Sequence, residues 1–154
     1  MIKVDYDVPI RRDPAAVYAY VTDVERIPEW QHVAGVRKVT KHDPGPLQVG
    51  SRFTMERTSR GNTATIDATV TGLDPGRRFD FHTVDSDGFV GDFSTTLSDD
   101  SGATTLHWGV RMEPAGIMYR LMQPMIAREI RRSASADFAE LRSKLEGGGA
   151  GGAI

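Results

Sequence analysis

The chain has 154 residues, 39% hydrophobic and 26% charged, with a formal net charge of −2 and no cysteine. That length suits one domain around one core, and the mixture is globular rather than disordered. The charge balance and the lack of a Lys/Arg cluster argue against an electrostatic footprint for nucleic acid or an anionic membrane; the missing cysteines exclude disulfides, thiolate metal sites and cysteine nucleophiles.

Ile2, Val4, Tyr6 and Val8 alternate with Lys3, Asp5 and Asp7, a period of two that predicts a strand over residues 2–10 with one buried face. This opening is not that of a signal peptide, and no apolar stretch is long enough to span a bilayer, so a cytoplasmic location and no membrane insertion are expected. Asp13 as N-cap and Pro14 at the first helical position predict a short amphipathic helix through Ala15, Ala16, Val17, Tyr18 and Val21. Asp23 is expected to cap a second short helix through Val24 and Ile27, cut short by Pro28.

From Val36 onward, turn clusters such as Asp43-Pro44-Gly45-Pro46, Arg60-Gly61-Asn62, Asp74-Pro75-Gly76 and Asp99-Asp100-Ser101-Gly102 divide the chain into about six strands of an antiparallel meander. The segment 36–42 alternates poorly, because Val36 and Val39 fall on opposite faces of a regular strand. After Pro114 the period becomes helical and holds to Leu145, with Gly147-Gly148-Gly149 as the stop signal and a flexible Gly-rich tail over 147–154.

In that last helix Ile117, Met118, Tyr119, Leu121, Met122, Met125 and Ile126 cover most of the circumference, whereas Ile130, Ala134, Phe138, Leu141 and Leu145 narrow to one face. Pro124 at the join is expected to kink or loosen the helix. The excess apolar surface is explained by irregular core packing, by a homodimer contact, or by a methionine-rich lid over a cavity. Arg128, Arg131 and Arg132, interleaved with Glu129, read as a solvated helix face.

The element order of strand, two short helices, six strands and a long helix is similar to the helix-grip fold of the START-like superfamily, also called SRPBCC or birch-pollen-allergen-like. The run from Asp13-Pro14-Ala15-Ala16-Val17-Tyr18 through Asp23-Val24-Glu25-Arg26-Ile27-Pro28-Glu29-Trp30 resembles that superfamily's polyketide cyclase/dehydrase and lipid-transport branch. Val49-Gly50-Ser51-Arg52-Phe53 looks like the branch's strand-opening motif. The resemblance implies an α+β fold, a curved antiparallel sheet of about seven strands around a long C-terminal helix, in a single domain over residues 1–146. It also implies a cavity between sheet and helix, while leaving the activity open, since the scaffold serves carriers, receptors, enzymes and chaperone activators.

The residues themselves show no catalytic constellation. His42, His82 and His107 are scattered, with His82 and His107 on strand phases that face outward, and no histidine has metal-ligand spacing, so no metal is expected. No glycine pattern cradles a phosphate and no nucleophile elbow occurs, so no cofactor is implied. The expected binding surface is apolar: Phe53, Met55, Ile66, Phe79, Phe81, Phe93 and Trp108 on the sheet facing Met118, Met122 and Ile126 on the helix, with Trp30 at the rim. Ala64, Ala68, Gly72 and Gly91 are expected to leave room between them. Tyr18, His32 and Arg57 are the polar candidates. The leading expectation is a binder of a small hydrophobic molecule, aromatic, polyketide-like or lipid-like. An aromatase/cyclase or dehydratase working by confinement with acid-base assistance is the alternative; a protein-interaction regulator is the second.

Overall fold

The alternation over residues 2–10 puts Ile2, Val4, Val8 and Ile10 on one side of β1 (Ile2–Ile10), and all four are buried. The computed structural model describes residues 1–153, with side chains through Gly147. Six strands follow the N-terminal excursion: β2 (Val36–Lys41), β3 (Arg52–Ser59), β4 (Asn62–Asp74), β5 (Arg78–Asp85), β6 (Val90–Asp100) and β7 (Ala103–Glu113). Each pairs antiparallel with the next, as the short turns require, and β1 adds to β7. The order is β1-β7-β6-β5-β4-β3-β2, the seven-stranded antiparallel sheet of a helix-grip α+β fold.

Because β1 and β2 lie at opposite edges, residues 11–35 must cross the width of the sheet. They do so through α1 (Pro14–Val21) and a 3-10 helix (Val24–Glu29). Asp13 caps α1, its Oδ2 accepting from Ala16 N at 3.3 Å. Asp23 makes no such side-chain bond, against expectation, and the second helix is a 3-10 turn containing Pro28. Gly35 has φ +86°, and a Cβ there would meet Thr58 O at 2.2 Å, so only glycine lets this loop abut β3. The poor alternation of β2 has a physical cause: the register with β3 shifts between Val36 and Lys38. That bulge turns both Val36 and Val39 into the core, at 4% and 6% exposure.

The expected single C-terminal helix is two. α2 (Gly116–Leu121) ends at Met122, and α3 (Gln123–Ala153) begins at once. Pro124 therefore starts a helix instead of kinking one, since the first turn has no use for the N–H that proline lacks. α3 also continues past Gly147, where the glycine run predicts a stop; the rest of the expected tail lies outside the residues whose side chains are described. Ala134, Phe138, Leu141 and Leu145 form the buried stripe of α3, which packs on β1. Polar staples fix it there. Asp137 Oδ1 and Oδ2 accept from Val33 N and Ala34 N at 2.8 and 2.9 Å, and Arg131 donates to Asp5 O at 3.1 Å. Arg12 donates to Leu145 O, and Glu146 accepts from Arg11 N, each at 2.9 Å.

Candidate functional site

Register assigns the inner face row by row. Val70, Phe81, Phe93, Val110 and Val4 align across five strands; Phe79, Thr95, Trp108 and Tyr6 form the next row. On the other side run Phe53, Ala68, Thr83, Gly91, Met112 and Ile2, then Met55, Ile66 and Asp85. The aromatic rings form a continuous track. Phe53 and Phe79 meet Phe81 at 5.5 and 5.3 Å between centroids, Phe81 stacks on Phe93 at 5.0 Å, and Phe93 reaches Trp108 at 6.1 Å. Trp108 meets Phe138 of α3 at 5.6 Å, and Phe138 in turn touches Trp30 and Tyr6.

The predicted lining divides into three sets. Trp30, Phe53, Met55 and Phe79 are buried in the main core, where they build the wall. Tyr18, Ile66, Phe81, Phe93, Trp108 and Ile126 are half-buried, each packed against a core cluster while keeping some surface free. Met118, Met122 and His32 are exposed, against expectation. α2 breaks off from α3 at Met122 and leaves Met118 in solvent; among the described residues its aromatic contact is Tyr119 on Phe89 at 4.8 Å. His32 sits exposed in the loop that Asp137 pins through Val33 and Ala34.

Two of the small residues expected to leave room do not. A Cβ on Gly91 would lie 3.2 Å from the Phe93 ring, so Phe93 already leans over it, and Gly72 faces Asp80 on the outer side of the sheet after a register shift in β4. Ala64 and Ala68 are buried on the inner face as expected.

The polar groups of this face are few. Arg57 aligns with Val36 and Ala64 and is half-buried; it joins no ion pair among the described residues. Its charge acts on Asp85. Burial raises the Asp85 carboxyl above the ordinary range, opposed by the N–H groups of Phe89 and Asp87 and then by Arg57. Asp85 Oδ1 accepts from both amides at 2.9 Å, a carboxylate missed in the sequence because Asp85-Ser86-Asp87-Gly88 reads as turn chemistry. Among the described residues, the buried Tyr18 Oη and Trp30 Nε1 have no hydrogen-bond partner, and burial, then Asp74, raises the Tyr18 hydroxyl. Two donors left so in an apolar interior are costly until an acceptor reaches them.

Among the described residues, two grooves lie where the sequence does not predict them, one on the outer side of the sheet and one along its β1 edge, where the inner face meets α3. One of about 510 Å³ on the outer side of the sheet is lined by Asp5, Asp80, Asp92, Arg78, His107 and Arg111; one of about 310 Å³ between β1 and α3 is lined by Tyr6, Val8, Arg142 and Glu146. His82 and His107 face outward as expected, bonded to Asp92 and Asp7 at 2.8 and 2.7 Å.

The fold is that of several solved structures. A START superfamily protein from Mycobacterium smegmatis aligns with a TM-score of 0.76 at 13% identity, over 95% of this chain and 98% of that one. The ginseng major latex-like protein 151 from Panax ginseng gives 0.73 at 14%, over 93% and 96%. DynU16, a putative protein in the dynemicin biosynthetic locus, gives 0.68 at 19%, over 96% of this chain and 48% of that one. No curated protein matches the sequence. A family model described as polyketide cyclase / dehydrase and lipid transport matches residues 1–146, and the chain belongs to that family, within the START-like superfamily.

Proposed function

We propose that the protein binds a small, largely apolar molecule with at least one hydrogen-bond acceptor, held between the aromatic track of the sheet and α3. The observation that carries this reading is the half-buried run of Phe81, Phe93 and Trp108, flanked by the buried Phe53, Phe79 and Val110 of the same face. Flat, closely spaced rings favour an aromatic or conjugated ligand. Tyr18 Oη and Trp30 Nε1 supply unused donors, and Arg57 supplies a cation for a phenolate, enolate or carboxylate. Family membership supports the class of ligand, polyketide-like or lipid-like.

Arg57 and Asp85 on the inner face favour a second reading, a cyclase or dehydratase of such a ligand. Confinement would fold a flexible chain, Arg57 would stabilise an enolate oxygen, and Asp85 would move a proton. His32, exposed, has no part in it.

Native mass spectrometry of freshly purified protein is the first test, with a bound small molecule as the expected result. Titration with aromatic carboxylates and their neutral methyl esters follows. Arg57→Met should weaken carboxylate binding by about 1.5–3 kcal/mol and leave the esters unchanged. No binding of any apolar probe to the folded protein would overturn the reading; equal losses for both ligand sets would give Arg57 a packing role. Turnover of the bound molecule would select the enzyme.

A further inference from the structure

α2 and the first turns of α3 carry a run of exposed apolar side chains: Ile117 at 75%, Met118 at 73%, Leu121 at 79% and Met125 at 67%. At about 100° per residue, Ile117, Met118 and Leu121 fall within one arc of α2. Tyr119, on the other side of the helix, is the residue that meets Phe89. Exposed apolar residues are ordinary singly, but a contiguous outward-facing group marks a contact surface.

Charge says what kind. Between the exposed Glu113 and Glu129, residues 114–128 contain no Asp or Glu and include Arg120 and Arg128, although the whole chain carries −2. Neither arginine joins an ion pair among the described residues. The first acidic residue downstream, Glu129, is engaged by Arg132. The patch is therefore apolar and cationic on a chain of the opposite sign.

We infer that this surface docks on an anionic lipid bilayer. α2 lies in the interfacial plane, Ile117, Met118 and Leu121 enter the boundary between headgroups and acyl chains, and Arg120 and Arg128 stay at the level of the lipid phosphates. The docking is peripheral, because no helix among the described residues is long and apolar enough to cross a membrane. A second copy of the chain fits this surface less well. A two-fold contact over this patch would bring together four arginines, two from each copy, with no acid within residues 114–128 to pair them. The whole-chain charge, which sets anionic membranes aside, averages away a local sign that becomes visible only when α2 is seen to face outward. The inference does not depend on a ligand occupying the inner face.

The test is co-sedimentation with vesicles of phosphatidylglycerol and phosphatidylcholine, against vesicles of phosphatidylcholine alone, at low and high salt. The protein should pellet with the anionic vesicles at low salt and be released as salt rises. Ile117→Ser with Leu121→Ser should abolish pelleting without changing the thermal midpoint, since both side chains are solvent-exposed. Arg120→Gln and Arg128→Gln should each lower the partition coefficient about fivefold. Absence from the anionic pellet, equal pelleting by the serine variant, or a dimer that the serine variant dissolves without any vesicle binding by the parent would each overturn it.

Discussion

The C-terminal half of α3 lays Ala134, Phe138, Leu141 and Leu145 into a sealed core and is tied by Asp137 and Glu146 to the loops on either side, whereas α2 and the first turns of α3 leave most of their apolar side chains in solvent. The two regions have similar hydrophobic content and opposite use of it. In the first, close packing of Phe138 with Tyr6, Trp30 and Trp108 fixes one arrangement. In the second, Ile126 and Ile130 pack on the smaller cluster of Ile2, Val4 and Val110, and nothing comparable holds α2. Buried contacts are concentrated in the C-terminal half of α3, and exposed apolar side chains in α2 and the first turns of α3.

Substitutions should separate the two ends by several kcal/mol. Phe138→Ala, at 3% exposure and amid three aromatic rings, should cost about 3–5 kcal/mol in urea denaturation. Leu121→Ala, at 79% exposure, should stay within about 0.5 kcal/mol. Comparable losses at both positions would erase the distinction. A smaller effect sharpens it: Asp137→Ala strands two backbone N–H groups and should cost about 2–3 kcal/mol by the same measurement. Asp137→Asn keeps one acceptor and should cost less.

The smallest effect is a pH slope. Burial raises the folded Asp137 carboxyl above its ordinary value, outweighing the N–H groups of Val33 and Ala34 and the charge of His32. The folded protein thus holds this proton more tightly than the unfolded chain does. Raising the pH from the ordinary carboxylate value, about 3.9, to the raised folded value removes stability, and above that window the loss is complete. The parent should therefore lose stability relative to Asp137→Asn between acid and neutral pH, read as a difference in urea midpoints. A gain over the same range would mean that the two amides outweigh burial.

Much of this fold is legible in the sequence, because β1 and the C-terminal stripe have clean periods and Asp13-Pro14 is a capping signal. The bulge in β2 is not, since an inserted residue destroys the alternation by which strands are read. The break at Met122 is also hidden: no glycine marks it, and Pro124 two residues later suits either a kink or a helix start. In the site, the aromatic track follows from strand phase alone, so Phe53, Phe79, Phe81, Phe93 and Trp108 share the face predicted for them. Phase does not distinguish a side chain that seals the wall from one that borders a site, because this depends on where α3 and α2 run. Asp137 is obscured by its setting in an apolar helical stripe, with partners more than a hundred positions away. Asp85 is obscured by its turn.

Hydrogen exchange read by mass spectrometry, on the full chain with and without the apolar dye 1-anilinonaphthalene-8-sulfonate, tests the contrast between the two ends most directly. Amides of residues 116–126 should exchange well before those of 130–145, and dye should slow the first segment while leaving the second unchanged. Uniform protection along both segments, indifferent to the dye, would contradict the account.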